Sequence, residues 1–171
     1  FGAKNIRVLD GGLPAWKAAG FGVTDRKFNP APSAFEAEKD SERIVALKEM
    51  REQVDASDSQ ILDARGPGRF TGQEAEPRPG MRAGHMPGAT NIPYSSLLNA
   101  DGTFKSNAEL QKVFEDAQVD PSQPIITTCG SGVTASIILL ALELLGHTNT
   151  RLYDGSWAEW GSLVDTPVEK D

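Results

Sequence analysis

Residues 125–145 constrain the fold of this chain more than any other segment. Pro124 opens an apolar, β-branched run, Ile125-Ile126-Thr127-Thr128, with the length and residue types of a short buried strand. A Gly-rich loop of five residues, Cys129-Gly130-Ser131-Gly132-Val133, comes next, and residues 134–145 then read as a helix that is apolar nearly all round. A helix without a polar face is expected to be buried.

The same alternation recurs upstream. Asp40 or Ser41 is placed to cap a helix whose apolar positions Ile44, Leu47, Met50 and Val54 have roughly helical spacing. Residues 61–64 and 91–94 read as short strands. Ser106 and Glu109 form a capping box ahead of Leu110, Val113 and Phe114. Strands alternating with helices predict an α/β domain of three layers, a central, mostly parallel sheet with helices on both faces. Residues 65–85 break the pattern: they are polar, rich in Gly and Pro and almost without periodicity, and a loop of this kind inside a compact domain usually carries function.

A repeat sets the domain organisation. Residues 1–16 (FGAKNIRVLDGGLPAW) align with residues 145–160 (LGHTNTRLYDGSWAEW), so that Gly2, Asn5, Arg7, Asp10, Gly11 and Trp16 match Gly146, Asn149, Arg151, Asp154, Gly155 and Trp160. Each copy reads as a helix end closed by Gly, a short strand, an Asp-Gly turn and a helix start holding a Trp. Self-similarity at a domain-sized offset marks a duplicated domain. Residues 1–24 are therefore expected to be the tail of a first domain whose upstream part is missing. Residues 25–40, with Pro30 and Pro32, have linker composition, and residues 41–171 make the cysteine-bearing second domain.

Composition narrows the function. Among 171 residues, 24 acidic side chains outnumber 17 basic ones, a net charge of −7 that argues against a nucleic-acid binder. No apolar run approaches the roughly 20 residues needed to cross a bilayer. A single cysteine makes no internal disulfide, which points to a reducing compartment such as the cytoplasm. Two histidines and one cysteine lie far apart without metal-ligand spacing, so neither a metal nor another cofactor is expected.

The cysteine loop carries the chemistry. Gly130 and Gly132 permit a tight curve that turns several N–H groups toward one point, and the start of the following helix adds its partial positive charge there. A thiolate at Cys129, or an anion bonded to it, is favoured in such a place, and the thiolate is the nucleophilic form of cysteine. A lone cysteine is more often a small buried hydrophobe. Position favours catalysis here, because the carboxyl ends of parallel strands are where α/β sheets bind ligands.

The segment CGSGVTA resembles the active-site loop of the rhodanese superfamily, in its 3-mercaptopyruvate sulfurtransferase branch. The resemblance extends through Asp63-Ala64-Arg65, Gly68-Arg69-Phe70, Glu76-Pro77-Arg78, Gly84-His85-Met86-Pro87-Gly88-Ala89 and Tyr153-Asp154-Gly155-Ser156-Trp157, in family order over residues 44–160. It implies a rhodanese-like fold in which Cys129 carries sulfur as a persulfide and Ser131 assists at the reacting sulfur. Main-chain groups of Gly130, Gly132, Val133 and Thr134 would hold the bound sulfur. Arg69 and Arg78 would clamp the carboxylate of the donor, 3-mercaptopyruvate. Implied partners are a thiol acceptor such as thioredoxin and the missing N-terminal rhodanese domain.

Thiosulfate-specific members usually carry a basic residue two positions after the cysteine, where this chain has Ser131. Related phosphatases and arsenate reductases end a longer loop in Arg, and residues 130–135 contain none. Arg65 is expected to pair with a structural acid, and Arg82 to stay out of the reaction. Asp63 and His85 are expected to be mainly structural, Trp157 and Trp160 to be packing residues, and His147 a solvated helix cap. The rival readings are a thiosulfate:cyanide sulfurtransferase and a non-catalytic rhodanese module.

Overall fold

Neighbouring residues of each central strand are buried toward opposite faces, and that alternation builds the layers. The computed structural model describes residues 2–171. Its sheet holds β1 (Ile44–Val45), β2 (Gln60–Asp63), β3 (Ala89–Asn91), β4 (Ile125–Thr128) and β5 (Thr150–Tyr153), in the order β1-β5-β4-β2-β3. All four pairings are parallel. Leu62 and Ile125 face a core shared with α4 (Asn107–Asp116) and α5 (Ala135–Leu144), where Leu110, Phe114, Ile138 and Leu142 are buried. Ile61 and Ile126, one residue along, face a second core with α2 (Leu47–Ala56) and α6 (Ser156–Trp160), filled by Met50, Tyr153, Trp157 and Trp160. The chain is thus a three-layer α/β domain, as the alternation predicts.

Three local expectations are corrected. The segment after Asp40 is not one helix. Asp40 caps only a single 3-10 turn, its side chain accepting from the Glu42 N–H at 3.1 Å, and Ile44 leaves helical geometry to pair with Leu152 as an edge strand. Sheet pairing won over helical spacing, and α2 starts at Leu47 without a side-chain cap. The strand expected at residues 91–94 ends at Asn91, whose amide side chain is spent on the carbonyls of Asp63 and Arg65, and Tyr94–Leu97 is a 3-10 turn. Helix α5 is buried along one stripe, Ala135, Ile138, Ala141 and Leu142, whereas Leu144 is exposed. The capping box at Ser106 and Glu109 is formed.

The two copies of the repeat differ in surroundings. Phe1, the first residue of the upstream copy, lies outside the described residues. Trp160 is fully buried, but its counterpart Trp16, on α1 (Gly12–Ala18), is 39% exposed, and Ile6, Val8 and Leu9 are exposed where Thr150, Leu152 and Tyr153 pack in the sheet. Residues 21–40 form no helix or strand and are exposed throughout. No helix is long and apolar enough to cross a membrane among the described residues.

Candidate active site

Cys129 immediately follows β4, at its carboxyl end, and three main-chain bonds fix it there. Its N–H donates to Ser156 Oγ at 3.1 Å, its carbonyl accepts from the Trp157 N–H at 2.9 Å, and the Gly130 carbonyl accepts from the Ala158 N–H at 2.9 Å. The start of α6 therefore grips both residues. The loop beyond them is shaped by glycine. Gly132 has φ +81°, and a Cβ there would lie 2.8 Å from the Asp154 carbonyl oxygen, so only glycine fits. A Cβ on Gly130 would come within 2.7 Å of Arg69 Nη2, which shows how closely that guanidinium lies over the loop. Among the described residues, none of the N–H groups of residues 130–134 donates to another group of the chain. Thr134 precedes α5 without a side-chain cap, and the Ile137 N–H in the first turn donates to the Thr134 carbonyl at 3.1 Å.

Cys129 is 1% exposed and closes one wall of the α4–α5 core. It also lines a cavity of about 210 Å³ together with Gly130, Ser131, Val133 and Thr134. Arg69, Glu76, Pro77, Arg78 and Met81, all from the polar loop, form the facing wall. The structure thus brings together Cys129, Ser131, Gly130, Val133, Thr134, Arg69 and Arg78. Gly132 is not among the lining residues and lies beneath the loop against Asp154.

The four arginines of the polar loop divide into two pairs. Arg65 is fully buried, and each of its three guanidinium nitrogens is bonded: it reaches both oxygens of Asp63, Glu76 Oε1 at 2.8 Å and the Gly84 carbonyl at 2.9 Å, and its guanidinium lies 4.4 Å above the Trp157 ring. Arg82 holds the carbonyls of Trp160, Gly161 and Thr166. Both are structural, and a buried charge is tolerated only when its donors are satisfied in this way. Arg69, on the short helix α3 (Pro67–Phe70), instead bonds Glu76 through Nε at 3.2 Å and Nη2 at 2.5 Å, and its side chain stays 27% exposed. Arg78 is exposed, and among the described residues it pairs with no carboxylate. Arg69 faces the cavity with its charge opposed by Glu76, whereas Arg78 brings an unopposed one.

Glu76 is the residue that sequence reasoning overlooked. Its carboxylate is 2% exposed and bridges Arg65 to Arg69, which links the structural pair to the cavity. The signal was present in the Glu76-Pro77-Arg78 motif, but nothing local tells a buried bridging acid from a solvated one. His85 is buried, stacked on Phe70 with ring centroids 3.9 Å apart, and its Nδ1 lies 3.0 Å from the Phe70 carbonyl oxygen. It does not line the cavity. No group of side chains suited to a metal ion occurs among the described residues.

Comparison with known proteins matches residues 46–163 to the family model described as a rhodanese-like domain. The chain is 40% identical over 160 residues to human 3-mercaptopyruvate sulfurtransferase, covering 94% of this chain and 54% of that protein. It is likewise 40% identical over 161 residues to the thiosulfate sulfurtransferase of Cricetulus griseus, covering 94% and 54%. The crystal structure of SseA from Escherichia coli, a 3-mercaptopyruvate sulfotransferase, superimposes with a TM-score of 0.81 at 35% identity, over 92% of this chain and 58% of that one. The chain thus spans about half the length of the curated relatives it matches.

Proposed function

This chain belongs to the rhodanese family, and on that premise we propose that it is a sulfurtransferase that moves the sulfur of 3-mercaptopyruvate through a persulfide on Cys129. One observation carries the reading: the only cysteine sits at the wall of a cavity that combines uncommitted loop N–H groups with two arginines.

Arg69 and Arg78 bind the donor carboxylate, a group that guanidinium forks suit, and hold the donor sulfur against Cys129. The Cys129 thiolate attacks that sulfur. A new S–S bond forms, the carbon–sulfur bond breaks, and its electron pair leaves with pyruvate enolate, which takes up a proton to give pyruvate. The N–H groups around Gly130, Val133 and Thr134 stabilise negative charge on the reacting sulfurs, and the Ser131 hydroxyl hydrogen-bonds one of them. Gly132 contributes by shaping the loop. A second thiolate, such as that of thioredoxin, or cyanide, then attacks the outer sulfur and releases the Cys129 thiolate. Such chemistry fits a reducing compartment such as the cytoplasm. We further read residues 41–171 as the catalytic unit, and residues 1–24 as the tail of a sister rhodanese domain that supplies the other wall of the cleft.

The thiosulfate sulfurtransferase relative, equally similar in identity, supports a second donor. Ser131 adds no positive charge for a dianion, which favours mercaptopyruvate, and the ratio of kcat/KM for the two donors decides. Mass spectrometry tests the core of the proposal. Donor treatment is expected to add one sulfur atom to the wild-type chain and none to Cys129→Ser, with transfer abolished in the variant. A wild-type chain that gains no sulfur would leave the non-catalytic module as the correct reading.

A further inference from the structure

We infer that Ser156 is a positioning residue for Cys129, a role that rests on the sulfurtransferase reading above. Ser156 has φ +50°, the left-handed region that side chains other than glycine enter at an energetic cost, and it is fully buried. The repeat supplies the control. Its upstream counterpart is Gly12, in the same conformation at φ +57° and without any cysteine to hold. Where no cysteine is held, the turn uses the residue that fits without strain. At Cys129 it uses serine.

The hydroxyl accounts for the difference. Ser156 Oγ accepts the Cys129 N–H at 3.1 Å and the Thr128 hydroxyl at 3.3 Å, and donates to the Tyr153 carbonyl at 2.9 Å. One donor and two acceptor sites are all that a hydroxyl has, so the group is saturated. It ties the last residue of β4 and the cysteine to the end of β5 at one point. With the Trp157 and Ala158 N–H groups on the Cys129 and Gly130 carbonyls, it leaves the cysteine main chain no free polar group. Cys129 is thereby held at the cavity wall, while the N–H groups of the loop beyond remain uncommitted. Ser156 is not among the residues that line the cavity, so it acts on the reaction through Cys129.

The test compares Ser156→Gly, which removes both the strain and the hydroxyl, with Ser156→Ala, which removes only the hydroxyl. Three quantities are read on the full chain: thermal unfolding, the pH profile of Cys129 alkylation by iodoacetamide, and kcat and KM with 3-mercaptopyruvate. If Ser156 positions the cysteine, both variants lose between about tenfold and a hundredfold in kcat with KM little changed. Both also give an alkylation profile that differs from the wild-type one, even though the Gly variant unfolds at the higher temperature of the two. A Gly variant with wild-type kcat and alkylation profile overturns the inference. So does one that fails to fold, which would assign the hydroxyl to the fold alone. Should wild-type protein transfer no sulfur, the sulfurtransferase reading fails separately, and the alkylation profiles still decide whether Ser156 acts on Cys129.

Discussion

Arg69 and Arg78 reach the same cavity under different constraints, and this difference governs what each contributes. Arg69 is held in place through Nε and Nη2 by a buried carboxylate that Arg65 also grips, and Arg65 is itself locked onto Asp63. Its orientation is fixed by those bonds, so the carboxylate clamp proposed above would lose little side-chain entropy on binding. Arg78 is exposed and supplies charge rather than geometry. Arg69→Ala is expected to raise KM for 3-mercaptopyruvate at least about tenfold, the scale of one charge-assisted hydrogen bond. KM for a persulfide donor without a carboxylate should change far less. Steady-state kinetics with the two donors checks this, and equal effects on both would contradict the carboxylate clamp.

At the scale of elements, the short edge strand β1 depends on Arg151 of β5. Its guanidinium bonds the carbonyls of Glu42 and Ile44 and the carboxylate of Glu49 on α2, joining three segments across the sheet edge. The hydrogen bonds from Arg151 outweigh partial burial and hold the Glu49 carboxyl below its ordinary value of 4.5. A carboxyl with a depressed folded value adds stability above its ordinary value and loses it as pH falls through the folded one. Glu49→Gln is therefore expected to lower Tm near neutral pH, and the gap from wild type should close as pH falls below 4.5. Because both side chains are partly exposed, the effect is at most about 1 kcal/mol, or about 2–4 °C. Thermal unfolding of both proteins as a function of pH measures it, and a gap that persists in acid would count against the ion pair.

For the whole molecule, burial divides the chain near residue 40. The buried hydrophobic side chains begin at Val45, while Ile6, Val8, Phe21, Phe28 and Phe35 stay exposed. Arg26, Lys27 and Lys39 lie in the exposed segment that has no regular structure, so brief trypsin treatment is expected to cut there first. The product beginning at Asp40 should unfold cooperatively, with Tm close to that of the intact chain. Loss of the transition in that fragment would show that residues before Asp40 belong to the folded unit.

The amino-acid order by itself determined the alternation of strands and helices, the three layers and the candidate nucleophile. Those features are local: short apolar runs, helical spacing, a capping box, and a cysteine between a β-branched run and an apolar helix. Only the tertiary structure decided that Ile44 is a strand residue, because its partner Leu152 is remote in sequence. It also supplied what spends Arg65 and Arg82, the two arginines that the motif resemblance had already set apart from Arg69 and Arg78. Arg82 is held by carbonyls of Trp160, Gly161 and Thr166, and Arg65 by Gly84, partners that no local pattern reveals. Ser156 belongs with them, since the meaning of its hydroxyl lies in an N–H at the end of another strand. Local pattern fixes the central strands and helices, whereas edge pairing and the assignment of buried charges and hydroxyls depend on which distant atoms the fold brings within about 3 Å.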